Sequence, residues 1–145
     1  TLNKFDQLDE AVKCYEKAIS IEANFTDAHN NLGVALHLLG QHDKAIKCYE
    51  KALAIKPDFD EAHNNLGIVY QQLGQINNSI NQYEKALVIN PDYADAYLNL
   101  SYLKKYSREL VQKIISVQGY FFSKPPEVQD VLPFINAFIN ENRNK

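Results

Sequence analysis

Residues 26–59 of this 145-residue chain superpose on residues 60–93 with 18 of 34 positions identical. The shared stretches are Ala28-His29-Asn30-Asn31-Leu32-Gly33 with Ala62 to Gly67, Leu39-Gly40-Gln41 with Leu73-Gly74-Gln75, and Tyr49 to Leu53 with Tyr83 to Leu87. The register continues backwards, where Cys14 to Ala18 match Cys48 to Ala52, and forwards, where Ala94 to Leu100 open a further copy. A chain that repeats at this spacing builds one supersecondary unit several times and buries each unit's apolar face against the next. The expected organisation is therefore a repeat array over 1–106 and a non-repetitive extension over 107–145. The array divides into a partial unit 1–25, full units 26–59 and 60–93, and the start of a third at 94–106.

Each unit is predicted to be an antiparallel pair of helices. Ala28, Leu32, Ala35, Leu36 and Leu39 fall on one stripe at helical spacing, Gly40-Gln41 interrupts, and Ile46, Tyr49 and Leu53 form the stripe of a second helix. Lys56-Pro57-Asp58 and Asn90-Pro91-Asp92 end the second helices, because proline cannot continue a helix and disfavours helical backbone before it. Gly33, Gly67, Ala45, Ser79, Ala52 and Ala86 are expected where helices approach closely, with Leu32, Leu66, Tyr49 and Tyr83 as the large complements.

These residues resemble the tetratricopeptide-repeat family. Leu32-Gly33, Gly40, Ala45, Tyr49, Ala52 and Pro57 carry the likeness in one unit; Leu66-Gly67, Tyr70, Gly74, Ser79, Tyr83, Ala86 and Pro91 carry it in the next. The resemblance spans about Asp6 to Tyr106 and implies an all-α fold, a right-handed superhelix of antiparallel helix pairs. Departures accompany it. His29 and His63 stand where the family often has an aromatic, and Ala23 replaces a proline. In the third unit Ser101, Lys104 and Arg108 replace the glycine, the aromatic and the inter-helix glycine, so that unit's first helix is expected to run past Ser107.

The two ends differ. Thr1 falls inside what would be the first helix of the leading unit, so the apolar face of the Leu8 to Ile21 helix is expected to be covered by upstream repeats of a longer parent chain or by a second copy of the molecule. At the other end Leu110, Ile114, Ile115, Val117, Tyr120, Phe121 and Phe122 supply apolar surface that must pack. After Pro125-Pro126, residues Val128, Val131, Leu132, Ile135, Phe138 and Ile139 mark an amphipathic helix, expected to cap the array or to engage a partner.

Composition narrows the function. The formal charge is −3 with two arginines, Arg108 and Arg143, which argues against nucleic acid as a partner. No apolar run is long enough to span a bilayer and no export signal opens the chain, so the expected setting is cytoplasmic with no membrane contact. Five glycines leave little room for phosphate-binding loops. Cys14 and Cys48 are expected to be quiet thiols, since equivalent sites on successive helices lie about 8–10 Å apart. His29, His37, His42 and His63 show no metal-binding spacing, and His29 and His63 read as packed helix residues. No catalytic residue, cofactor or metal is expected.

The resemblance places the first helices on the concave surface, so their polar second stripe is where binding is sought. Asp27, Glu61 and Asp95 form one row. Asn31, Asn65 and Asn99 form another one turn on, with Asn30 and Asn64 beside them; Val34, Ile68 and Tyr102 follow, then His37, Gln71 and Lys105. A carboxamide both donates and accepts, so a row of them grips the backbone of an extended peptide without reading its side chains. The rows are similar to the asparagine and acidic ladders in the superhelical repeats of protein O-GlcNAc transferases. The competing reading is that these asparagines bond only to neighbouring helices or water. A carboxylate clamp for an acidic C-terminus is not expected, because acids and amides occupy the positions a clamp needs basic. The expected function is a protein-interaction scaffold for a protein or peptide partner. The alternatives are the substrate-recognition part of a larger transferase and a module that self-associates through the uncovered first face.

Overall fold

The computed structural model describes residues 3–118, and these form six α-helices and no strand. They are α1 (Lys4–Ile21), α2 (Thr26–Leu38), α3 (His42–Ile55), α4 (Asp60–Gln72), α5 (Ile76–Ile89) and α6 (Ala94–Gln118). The helix expected over 127–142 lies outside the described residues. Helix α1 starts on a capping box in which the Asn3 side chain accepts from the Asp6 amide and the Asp6 carboxylate accepts from the Asn3 amide.

Pairing follows from two glycines with positive φ. Gly40 at +78° and Gly74 at +75° turn the chain between α2 and α3 and between α4 and α5, a conformation that a Cβ penalises. In the last unit Arg108 holds the equivalent place, and α6 runs on to Gln118. The expectation that this helix passes Ser107 is met, and the division drawn at 106/107 falls within it.

Helices of a pair meet through a glycine beneath a tyrosine. A Cβ added at Gly33 would lie 2.5 Å from the Tyr49 ring, and one at Gly67 would lie 2.6 Å from that of Tyr83. Both tyrosines are fully buried, Tyr49 amid Leu32, Leu36, Ala45, Leu66 and Val69, and Tyr83 amid Ile76, Leu100 and Leu103. Ser79 Oγ donates to the Gly67 carbonyl at 2.7 Å, and Tyr83 Oη donates to Gln71 Oε1 at 2.9 Å, so α5 is also tied to α4 by polar bonds. Val12, Tyr15 and Ile19 of α1 pack on the core, yet no residue of α1 is fully buried and Phe5 and Ile21 stay largely exposed.

The connections between units share one geometry. Glu22, Lys56 and Asn90 take φ of −132°, −130° and −133° after α1, α3 and α5. Pro57 and Pro91 explain two of them, but Ala23 follows Glu22. The first turn reaches the same shape without proline, closed by Phe25 N–H donating to the Glu22 carbonyl at 3.1 Å. His29 Nε2 donates to the Ala23 carbonyl at 2.8 Å and His63 Nε2 to the Pro57 carbonyl at 3.0 Å, with the Gln82 amide 2.7 Å from His63 Nδ1. Both histidines are buried and hold turn to helix, as packed helix residues should.

Gly67→Ala is expected to cost about 1–3 kcal/mol, since the ring above it is locked in the core; urea denaturation checks this, with the exposed Ala54→Gly as a reference. Burial pushes the Tyr83 hydroxyl from 10.0 up to about 12, against a smaller opposing effect of its hydrogen bond with Ser79. Burial also raises Tyr49, helped by Cys48 and Glu61. The neutral phenols belong to the folded state, so their contribution is complete below pH 10; that of Tyr83 is lost as pH rises from 10 to about 12, and that of Tyr49 at higher pH still. Denaturation midpoints followed across that window should fall, and Tyr83→Phe should flatten the part of the fall that Tyr83 contributes.

Candidate functional site

Helices α2, α4 and α6 lie side by side, and the polar rows read from the sequence fall on them. Asp27, Glu61 and Asp95 are exposed in the first turn of each helix. Asn31, Asn65 and Asn99 are half-buried one turn further on. Val34 and Ile68 are also half-buried and rest against the two main apolar clusters, so much of each side chain is committed to packing. Tyr102 is 61% exposed and stacks on Tyr106, with ring centroids 6.4 Å apart.

Asn30 and Asn64 were expected beside the ligand-contacting row. They are 1% and 3% exposed, and their amides link one repeat to the next. Asn30 Oδ1 accepts from Asn65 Nδ2 at 3.1 Å, and Asn64 Oδ1 accepts from Asn99 Nδ2 at 3.3 Å. The reason is helical geometry: neighbouring residues point about 100° apart, so of two adjacent asparagines one faces the next helix and the other the open face. Asn30 Nδ2 donates to Glu61 Oε1 at 3.2 Å. The equivalent of Glu61 at the next junction is Asp95, whose carboxylate is one methylene shorter, and Asn64 there shares a cleft lining with Tyr93, where the preceding junction has Phe59.

Each buried asparagine thus orients the half-buried one of the next repeat. Asn65 and Asn99 give one amide hydrogen to the neighbouring repeat; their Oδ1 atoms have no hydrogen-bond partner among the described residues.

Between α4 and α6 these residues enclose a cleft of about 380 Å³, lined by Glu61, Asn64, Asn65, Ile68, Tyr93, Asp95, Leu98 and Asn99. Six of the eight were candidates from the sequence. Tyr93 and Leu98 were missed, Tyr93 because it precedes the helix; its place in the repeat, following Pro91-Asp92 as Phe59 follows Pro57-Asp58, was the available signal. The Tyr93 hydroxyl is raised above its ordinary value by burial first, then by Glu61, Asp60 and Asp95, with the Asn64 bond opposing. The row beyond does not continue uniformly: His37 Nδ1 lies 3.3 Å from His42 Nδ1, Gln71 is bound by Tyr83, and Lys105 is exposed. Burial, and secondly His42, lowers the His37 pKa.

Among the described residues no three His, Cys, Asp or Glu side chains are placed to share a metal ion, and no helix is long and apolar enough to cross a membrane. Cys14 and Cys48 are free thiols. Asn64→Ala should leave the helices intact, cost about 1–3 kcal/mol, and expose the Asn99 side-chain amide to faster hydrogen exchange by NMR.

The family described as TPR repeat matches residues 6–40, 35–74 and 71–105. No curated protein matches the sequence. Among solved structures the chain is similar to the first TPR of Spaghetti (RPAP3) bound to the HSP90 peptide SRMEEVD, at 21% identity and a TM-score of 0.66, covering 69% of this chain and 79% of that one. It is similar to the Arabidopsis OM64 TPR domain at 23% identity and a TM-score of 0.66, over 68% and 82% of the two chains. The second TPR domain of human RPAP3, in complex with the HSP70 peptide SGPTIEEVD, aligns at 22% identity and a TM-score of 0.63, over 67% and 81%. With three family segments running from Asp6 to Lys105 and the same helical-repeat fold in these neighbours, the chain belongs to the tetratricopeptide-repeat family.

Proposed function

We propose that this chain is a non-catalytic interaction scaffold that holds an extended peptide segment across the face formed by α2, α4 and α6. The observation that carries this reading is the row Asn31, Asn65 and Asn99, of which the last two are oriented from behind by Asn30 and Asn64 and line an open cleft. Their carboxamides would pair with peptide N–H and C=O groups, and Asp27, Glu61 and Asp95 one turn away would meet side chains of the guest. Ile68 and Tyr102, with what Val34 leaves uncovered, would supply apolar contact.

Two of the similar structures carry peptides ending in Glu-Glu-Val-Asp, which supports peptide binding as a use of this surface. The ligand here would differ in charge. Acids and amides occupy the face, and among the described residues the cleft lining has no Lys or Arg, so an acidic terminus would meet like charge. Neutral, hydroxyl-bearing or basic segments fit better. A cytoplasmic setting goes with this reading.

The test is a peptide-array screen followed by titration of the best binder against Asn31→Ala, Asn65→Ala and Asn99→Ala combined. Affinity should fall about tenfold or more, on roughly 1 kcal/mol for each amide pair lost. An unchanged affinity would remove the asparagine row from the account, and competition by a Glu-Glu-Val-Asp peptide would overturn the charge argument.

A further inference from the structure

The junctions α2/α4 and α4/α6 are built from equivalent positions, yet their chemistry has diverged. At the first, Phe59 stands where Tyr93 stands at the second, Glu61 where Asp95 stands, and Asn64 where Leu98 stands. At the first junction the incoming carboxylate, Glu61, accepts a bond from Asn30. At the second the incoming carboxylate, Asp95, is exposed and has neither a hydrogen bond nor an ion pair with any described residue. Glu61 also reaches this second junction, so the cleft of about 380 Å³ is bordered by two carboxylates, with no Lys or Arg in its lining among the described residues. Asp60, nearby, is already engaged by Asn90 Nδ2 at 2.9 Å and by the Glu61 amide at 2.9 Å.

The rest of the lining suits a particular shape of guest. Ile68 and the 64%-exposed Leu98 give apolar contact, Tyr93 adds an aromatic ring with a hydroxyl, and Asn65 and Asn99 stand where the backbone of a bound segment would pass. A side chain that is apolar along its stem and positively charged at its tip satisfies both halves of this surface at once. A metal ion does not, because its ligands would have to be more numerous than the carboxylates at hand. A short hydroxyl would leave both charges unpaired.

We propose that the α4/α6 cleft is a subsite for one cationic side chain, lysine or arginine, of the segment bound along this face, with its stem on Ile68 and Leu98 and its charge between Glu61 and Asp95. The proposal rests on the groove reading above and adds a substrate preference to it. It also assigns Tyr93 and Leu98 to the binding surface, and it places the preference at one junction of the array, not evenly along it.

The experiment uses the full chain, isotopically labelled for NMR, and a set of short Ala/Ser/Thr peptides that differ only at a central residue: lysine, arginine, norleucine or glutamate. Norleucine keeps the stem and removes the charge. Lysine and arginine peptides should bind roughly fivefold more tightly than the norleucine peptide at low salt, the scale of one or two partly exposed ion pairs. The preference should shrink when ionic strength is raised to about 0.5 M. Asp95→Asn combined with Glu61→Gln should bring the lysine-to-norleucine ratio close to one; both changes keep side-chain size, and the amide oxygen that replaces the Glu61 carboxylate still accepts from Asn30. Equal binding of lysine and norleucine peptides, with both shifting the side-chain amide resonances of Asn65 and Asn99, would overturn the subsite and leave the groove reading standing. If no peptide shifts those resonances, both readings fall.

Discussion

The arrangement depends on how closely the two helices of a unit can approach. Gly33 under Tyr49 and Gly67 under Tyr83 leave no space for a Cβ, and each ring is sealed by apolar side chains from its own unit and the next. That contact sets the spacing of α2 and α3 and of α4 and α5, and so fixes where the following first helix can lie. Aligned faces on α2, α4 and α6 result from it. In α6 Ser101 takes the glycine position and Arg108 the turn glycine, and the helix continues through both. Without those glycines neither the close approach nor the reversal is encoded.

Register between repeats is a second, polar constraint. Buried carboxamides cost free energy unless bonded, so Asn30 and Asn64 admit only alignments in which Asn65 and Asn99 reach them. The same bonds give the half-buried Asn65 and Asn99 a preset orientation. At the equivalent position of α6 the residue is Leu98, which is exposed.

Much of the array is legible in the residues. The 34-residue period, Gly40 and Gly74 as turns, and Pro57 and Pro91 as stops locate α2 to α5 because each acts through local backbone geometry that tertiary context does not override. The continuation of α6 past Ser107 is legible for the same reason, as the loss of a turn glycine. The turn at Glu22 is not: Ala23 carries no backbone restriction, and the shape is imposed by the packing of α1 on α2 and by the His29 bond to the Ala23 carbonyl.

The sequence by itself determined an all-α repeat array with carboxylates and amides in register along its first helices, since periodicity and local backbone preference suffice for that. Tertiary structure alone decided which of two adjacent asparagines is buried, that Tyr93 and Asn64 come together in one cleft, and that this cleft is bordered by two carboxylates. Asn30 and Asn31 are chemically identical, and only the position of the neighbouring helix distinguishes an amide that builds the scaffold from one on the open face.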